Sequence, residues 1–271
     1  MNGASREALA AARERLDALT DSTSVDAGSL ADELASVTAL LHREVGLRRV
    51  LTDPAQTGEA KAQLVQRLLG GQVSGTAADL VAGLVRSRWS QSRDLVDALE
   101  ELADTADLTA AEKNGSLDDV EDELFRFGRI VGSDTGLRAA LTDRKATVSA
   151  KSALLHSLLG GRANPVTERL VTRLVTAARG RSLETGLESL SKLAADRRNR
   201  MVAVVTSAVP LSDSHKQRLG AALAKLYGRP MHLNLDVDPE VLGGLQVRVG
   251  DEVINGSIAD RLAEAGRRLA G

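Results

Sequence analysis

Apolar positions recur every three to four residues over most of the chain and every two residues near its end. Leu30, Leu34, Val37 and Leu41 share one helix face. Leu64, Leu68 and Leu69 keep that period and stop at Gly70-Gly71, a natural helix C-terminus. Leu80 with Leu84 and Val81 with Val85 predict another helix, and Leu95, Leu99 and Leu102 a further one. Ahead of these, Ala8, Ala11, Ala12, Arg15, Leu16 and Leu19 place a small-residue stripe on an opening helix. The period changes at Met201. Val202, Val204 and Thr206 alternate with Ala203, Val205 and Ser207, a strand pattern that Pro210 ends. Ser212 is placed to cap a helix carrying Leu219, Leu223 and Leu226, with Gly228 and Pro230 as stops. Leu233, Leu235 and Val237 alternate again, as do Leu245, Val247 and Val249. Gly250-Asp251 then predicts a two-residue turn into Glu252-Val253-Ile254. Ser257 and Asp260 form a capping-box pattern for a last helix with Ile258, Leu262, Ala265 and Leu269 on one stripe.

The helical part is written twice. Gly46-Leu47-Arg48 and Leu51-Thr52-Asp53 reappear 90 residues later as Gly136-Leu137-Arg138 and Leu141-Thr142-Asp143. The same offset relates Ala60-Lys61 to Ala150-Lys151, Leu68-Leu69-Gly70-Gly71 to Leu158-Leu159-Gly160-Gly161, and Leu80, Val81, Leu84 and Val85 to Leu170, Val171, Leu174 and Val175. Upstream, Asp32-Glu33-Leu34 matches Asp122-Glu123-Leu124. Leucine-rich helices match one another by chance; Gly-Leu-Arg, Leu-Thr-Asp and Leu-Leu-Gly-Gly at one fixed offset do not. A period this long suits a whole small domain, not a solenoid repeat. The expected fold is mainly α: two tandem homologous helical bundles over residues 1–106 and 107–200, then a small α+β domain over 201–271 in the order β-α-β-β-β-α. The stretch before the second copy, Leu108 to Lys113, is short and ends at Asn114-Gly115, so the second bundle is expected to have a stunted first helix or none.

Composition then removes whole classes of chemistry. With 43% apolar and 27% charged residues the chain is foldable. Its 35 basic and 37 acidic side chains give a net charge of −2, without the basic excess of a nucleic-acid coat. Aromatics are Trp89, Tyr227, Phe125 and Phe127, too few for base stacking. Zero cysteines exclude disulfides, thiolate metal sites and thiol nucleophiles. His42, His156, His215 and His232 sit on separate elements with no metal-ligand spacing. Gly70-Gly71 to Thr76 lacks the Gly-Lys-Ser/Thr of a phosphate loop. Ser189-Leu190-Ser191-Lys192 lacks the companion motifs of Ser-Lys hydrolases. Arg197, Arg198 and Arg200 read better as cations at a helix C-terminus than as phosphate ligands. Met1 to Asp17 has no apolar leader core, and no uninterrupted apolar run reaches membrane-spanning length. No cofactor and no metal are expected.

Val237-Asp238-Pro239-Glu240-Val241-Leu242-Gly243-Gly244-Leu245-Gln246-Val247-Arg248-Val249-Gly250, followed by Val253-Ile254-Asn255-Gly256-Ser257 and Arg261-Leu262, resembles the C-terminal signature of the delta subunits of bacterial F-type ATP synthases, relatives of the mitochondrial oligomycin-sensitivity-conferring protein. Ser207-Ala208-Val209-Pro210-Leu211-Ser212, Leu47-Arg48 with Leu51, and Gly180-Arg181-Ser182-Leu183 extend the resemblance along the chain. Two features depart from the family pattern: the helical domain appears twice, and Asn255 stands where Asp is common. The resemblance implies a non-catalytic stator subunit that joins the catalytic head to the peripheral stalk and resists torque. It sits peripherally at the cytoplasmic face of the cell membrane, without membrane insertion, self-association or nucleic acid. It also implies two partners. An amphipathic helix of an alpha subunit would dock on the helical domain, and Ala8, Ala12 and Arg15 beside Leu80, Leu84 and Arg88 are the candidate groove. The b subunits would meet the C-terminal domain, with Gly243, Gly244, Arg261, Leu262 and Leu269 as candidates. The alternative reading of such bundles is an RNA-binding or antitermination-type adaptor, which the balanced charge and scarce aromatics oppose.

Overall fold

The computed structural model describes residues 1–21, 25–177, 180–198, 201–228, 231–238, 244–249 and 252–255. The chain divides into two compact units, Met1–Arg198 and Asn199–Gly271.

The first unit is helical, from α1 (Gly3–Asp21), α2 (Ala27–Arg43), α3 (Val45–Thr52), α4 (Gly58–Leu69), α5 (Gly75–Arg86) and α6 (Ser92–Lys113) to α7 (Leu117–Ser133), α8 (Thr135–Thr142), α9 (Val148–Leu159), α10 (Pro165–Thr176) and α11 (Leu183–Arg198). The duplication extends to hydrogen bonds. Thr57 caps α4 by accepting from the Ala60 amide, and Thr147 caps α9 by accepting from the Ala150 amide. Glu33 accepts from the Ser74 amide ahead of α5, and Glu123 from the Asn164 amide ahead of α10. Gly71 and Gly161, just past α4 and α9, hold φ of 78° and 69°, where a side chain would be strained.

The first core gathers Leu16, Leu34, Leu41, Leu51, Leu80, Leu95, Leu99 and Leu102. The second gathers Leu108, Leu124, Leu141, Leu155, Leu170, Leu174 and Leu187. Helix α6 belongs to both: Leu95, Leu99, Leu102, Ala103 and Ala106 lie in the first core, Leu108 and Ala111 in the second. The expected stunted first helix of the second copy is therefore corrected. That role falls to α6, a continuous 22-residue helix that also closes the first copy, and residues 106 and 107 lie inside it. Its faces divide between two cores, so no break marks the change of ownership. Asn114 and Gly115, the latter at φ 69°, end it as the sequence indicated.

The second unit carries β1 (Met201–Ser207), α12 (Asp213–Tyr227), β2 (Met231–Val237), β3 (Leu245–Val249) and β4 (Glu252–Asn255). The strand order is β2-β1-β3-β4. Strand β1 pairs parallel with β2 across the α12 crossover and antiparallel with β3. Strands β3 and β4 pair antiparallel with Val249 opposite Glu252. The inward face holds Ala203, Val205, Val247 and Val249 against Leu223 of α12. The turn Gly250-Asp251 and the final helix lie outside the described residues.

Candidate functional site

Helices α1 and α5 cross with small residues between them. Ala8, Ala11, Ala12 and Arg15 of α1 and Leu80, Gly83 and Leu84 of α5, with Ser87 just beyond it, enclose a cleft of about 200 Å³. Ala8, Ala12, Leu80 and Leu84 are buried and form its floor. Gly83 removes a side chain from the wall, and Arg15 lies over the gap, its Nη1 3.0 Å from where a β-carbon would stand. Five of the six groove candidates thus meet in one place. The sixth, Arg88, is exposed beyond the end of α5 and does not line the cleft. Sequence reasoning missed Gly83 and Ser87; the signal for Gly83 is a glycine interrupting an apolar run. The rim is basic, and among the described residues neither Arg15 nor Arg88 forms an ion pair. Val81 and Val85 point into the first core.

The corresponding place in the second bundle has different chemistry. At the 90-residue offset Leu170 and Leu174 stand for Leu80 and Leu84, and Arg173 for Gly83. Arg173 donates to Asp104 at 2.8 Å and to Asp107 at 2.7 Å, both on α6, and Arg169 reaches Asp107 at 2.5 Å. Arg181 pairs with Glu100, and Arg13 of α1 with Glu101. The cavity here, about 520 Å³, is lined by Asp97, Glu100, Glu101, Asp104, Arg173 and Arg181 among others. Burial pushes the Asp104 carboxyl up to about 6; Arg173 opposes the shift and Asp107 adds to it. Burial also raises Asp107, against the pull of Arg173 and Arg169.

Of the candidates for the second partner, Gly244 is exposed at φ 87°, at the entry to β3. Gly243, Arg261, Leu262 and Leu269 lie outside the described residues. The remaining motifs are absorbed by packing. Arg197 bonds Asp17 and Glu112, and Arg198 pairs with Glu121. Ser189 donates to the Thr185 carbonyl, His156 meets Glu168 and His215 meets Ser212. Glu33 places a carboxylate where a phosphate at the α5 N-terminus would have to sit. Among the described residues no cluster of His, Asp or Glu fit to hold a metal is found, and no helix is long and apolar enough to cross a membrane.

A family model described as ATP synthase delta (OSCP) subunit matches residues 105–269. The ATP synthase subunit delta of Streptomyces coelicolor is 84% identical over 270 residues, covering 100% of this chain and 98% of its own length. That of Kineococcus radiotolerans is 47% identical over 269 residues, covering 99% and 98%. A chain of the solved Toxoplasma gondii mitochondrial ATP synthase hexamer is 20% identical, covers 62% of this chain and 95% of its own, and has a TM-score of 0.30, too distant for a shared layout to be read from it.

Proposed function

Because the chain belongs to the ATP synthase delta (OSCP) family, as a structural peripheral-stalk component of the F-type ATP synthase, we propose that it works as a non-catalytic brace between the catalytic head and the b-subunit stalk. The α1–α5 groove receives an amphipathic helix from the N-terminus of an alpha subunit, laid with its apolar face on Ala8, Ala12, Leu80 and Leu84. The C-terminal unit meets the b subunits, with the Gly243-Gly244 turn, Arg261, Leu262 and Leu269 as the contact. The protein sits peripherally on the cytoplasmic side of the membrane-bound complex.

The observation that supports this reading is the cleft of about 200 Å³ where α1 meets α5, floored by Ala8, Ala12, Leu80 and Leu84 under Arg15, which forms no ion pair among the described residues. Mechanical duty fits the rest of residues 1–198. A stator must transmit torque without bending, and a helix shared by two cores, cross-linked by buried ion pairs, resists shear between the bundles. Reconstitution tests the proposal. Vesicles carrying the synthase assembled without this chain should hydrolyse ATP and fail to pump protons, with pumping restored on adding it back. Full coupling in its absence overturns the brace.

A further inference from the structure

Helix α7 carries two large apolar side chains on its outer side. Phe125 is 57% and Ile130 52% exposed, while Leu124, Phe127 and Val131 fill the second core. The repeat shows that the position does not require this. Ninety residues earlier, on α2, the places of Phe125, Arg126 and Arg129 are held by Ala35, Ser36 and Ala39. Those small residues line a cleft of about 740 Å³ whose other wall, Pro165, Glu168 and Thr172, belongs to α10 of the second bundle. In the second copy the same face is exposed, and large residues stand where the first copy has small ones. We propose that this face of α7 pairs with the same face of a second copy of this chain, the two helices antiparallel about a twofold axis. The pairing concerns the free chain and does not rest on the reading above. It departs from the absence of self-association that the family resemblance implies.

Charge order selects that occupant. Of the ionic side chains of α7, Glu121 meets Arg198, Glu123 accepts from the Asn164 amide and the Thr167 hydroxyl, and Asp122 pairs with Arg126 on the same helix. Asp118, Asp119 and Arg129 are exposed and form no ion pair among the described residues. The exposed charges thus run acidic, through Asp118, Asp119 and Asp122, and then basic, through Arg126 and Arg129. The dipole favours that order in any helix, but it gives no reason to leave a phenylalanine in water where the sign changes. Reversed, the order is its own complement, which is what a contact between identical faces needs. Asp119 lies as far before Leu124 as Arg129 lies after it, and Asp122 as far before it as Arg126 after it. An axis level with residue 124 therefore sets Asp119 against the other copy's Arg129, and Asp122 against its Arg126. Side chains on a helix lean toward its N-terminus, so Phe125 covers that same level and meets its counterpart there. One helix face per copy puts the contact below about 1,200 Å² in total, the class of weak and transient interfaces.

Sedimentation of the full chain from micromolar to millimolar concentration tests the pairing. The wild type should approach a dimer at the upper end, and Phe125→Ser should weaken the association about tenfold. Arg129→Glu and Asp119→Lys, each of which sets like charges opposite one another, should do the same with unchanged melting temperatures. Mixed in equal amounts, these two variants should pair with each other as tightly as the wild type pairs with itself, because every altered charge then meets its opposite. That mixture decides the matter alone where Phe125→Ser does not fold. Ser36→Glu, on the corresponding face of α2, should leave association as it was. A wild type that stays monomeric throughout overturns the proposal, and so does a mixture that stays monomeric. Association that survives Phe125→Ser and both charge reversals belongs to another surface and overturns the assignment to α7.

Discussion

Arg197 and Asp17 stand 180 residues apart in the chain and 3.1 Å apart in space. The guanidinium donates to the Asp17 carboxylate on α1 and, through Nε, to Glu112 on α6 at 2.7 Å. The end of the helical unit is thereby tied to its beginning and to its shared helix. Both Arg197 and Asp17 are buried, so truncation strands carboxylates away from water. Arg197→Ala should cost about 3–5 kcal/mol. Replacing Arg197 and Asp17 together by apolar residues of similar size should recover much of that, because the one carboxylate then left without its partner, Glu112, is 35% exposed and keeps its water. Urea unfolding of the single and double variants measures both; a single variant as stable as wild type removes this tie from the account.

Asp104 makes stability depend on pH in a direction opposite to that of an ordinary salt-bridged carboxylate. Its pKa rises on folding from 3.8 to about 6, chiefly because burial disfavours the charge. The folded state therefore binds the proton more tightly than the unfolded one. The stability this gives is fully present below pH 3.8 and is lost as pH rises through about 6. Asp104→Asn cannot titrate. Its stability relative to wild type should thus climb between pH 4 and pH 7, by roughly 2–3 kcal/mol at most. Denaturant midpoints for the two proteins across that range decide it, and parallel curves would refute the buried-charge account.

The two cores should melt as one. Leu124 is fully buried in the second bundle, while the single tryptophan, Trp89, donates to the Leu84 carbonyl in the first at 2.9 Å. Leu124→Ala opens a cavity costing about 2–5 kcal/mol. Because α6 is common to both cores, the Trp89 fluorescence transition should shift together with the far-ultraviolet helix signal. A tryptophan transition that stays put would show two independent bundles.

The repeat was legible because it is carried by residues with little freedom to vary for other reasons: the Gly-Gly stops, the Leu-Thr-Asp turns and the leucines facing each core. The strands after Met201 were legible from their alternation for the same reason. Sharing of α6 was not. Its polar contacts to the second bundle run through Glu100, Asp104, Asp107 and Glu112, and a carboxylate on a helix reads as a solvated face until its arginine, 62 to 85 residues away, is placed beside it. The same blindness hid the contrast between the clefts. Ala8, Ala12, Leu80 and Leu84 announce an apolar groove through composition, whereas the meaning of Gly83 against Arg173 depends on what faces each of them. Arg197 likewise reads as a helix-end cation and proves to be a long-range tie.

One substitution should have opposite effects at two helical glycines. At Gly128 in α7 an added β-carbon meets only the Leu187 β-carbon, at 3.9 Å, an ordinary contact. Gly128→Ala should therefore stabilise the bundle by about 0.5–1 kcal/mol, through the narrower unfolded state and better helix propensity. At Gly186 in α11 the new atom would run into Leu174, 2.9 Å from its Cδ2 and closer still to its Cδ1. Leu174 is held in the second core, so it moves only by disturbing α10 next to Arg173. Overpacking of this kind costs about 1–3 kcal/mol, more than the propensity gain, and Gly186→Ala should destabilise. Thermal unfolding of the two variants side by side gives the signs. If both stabilise, α10 and α11 are packed more loosely than the Leu174–Gly186 approach requires, and the rigidity asked of a stator has to be sought elsewhere in the chain.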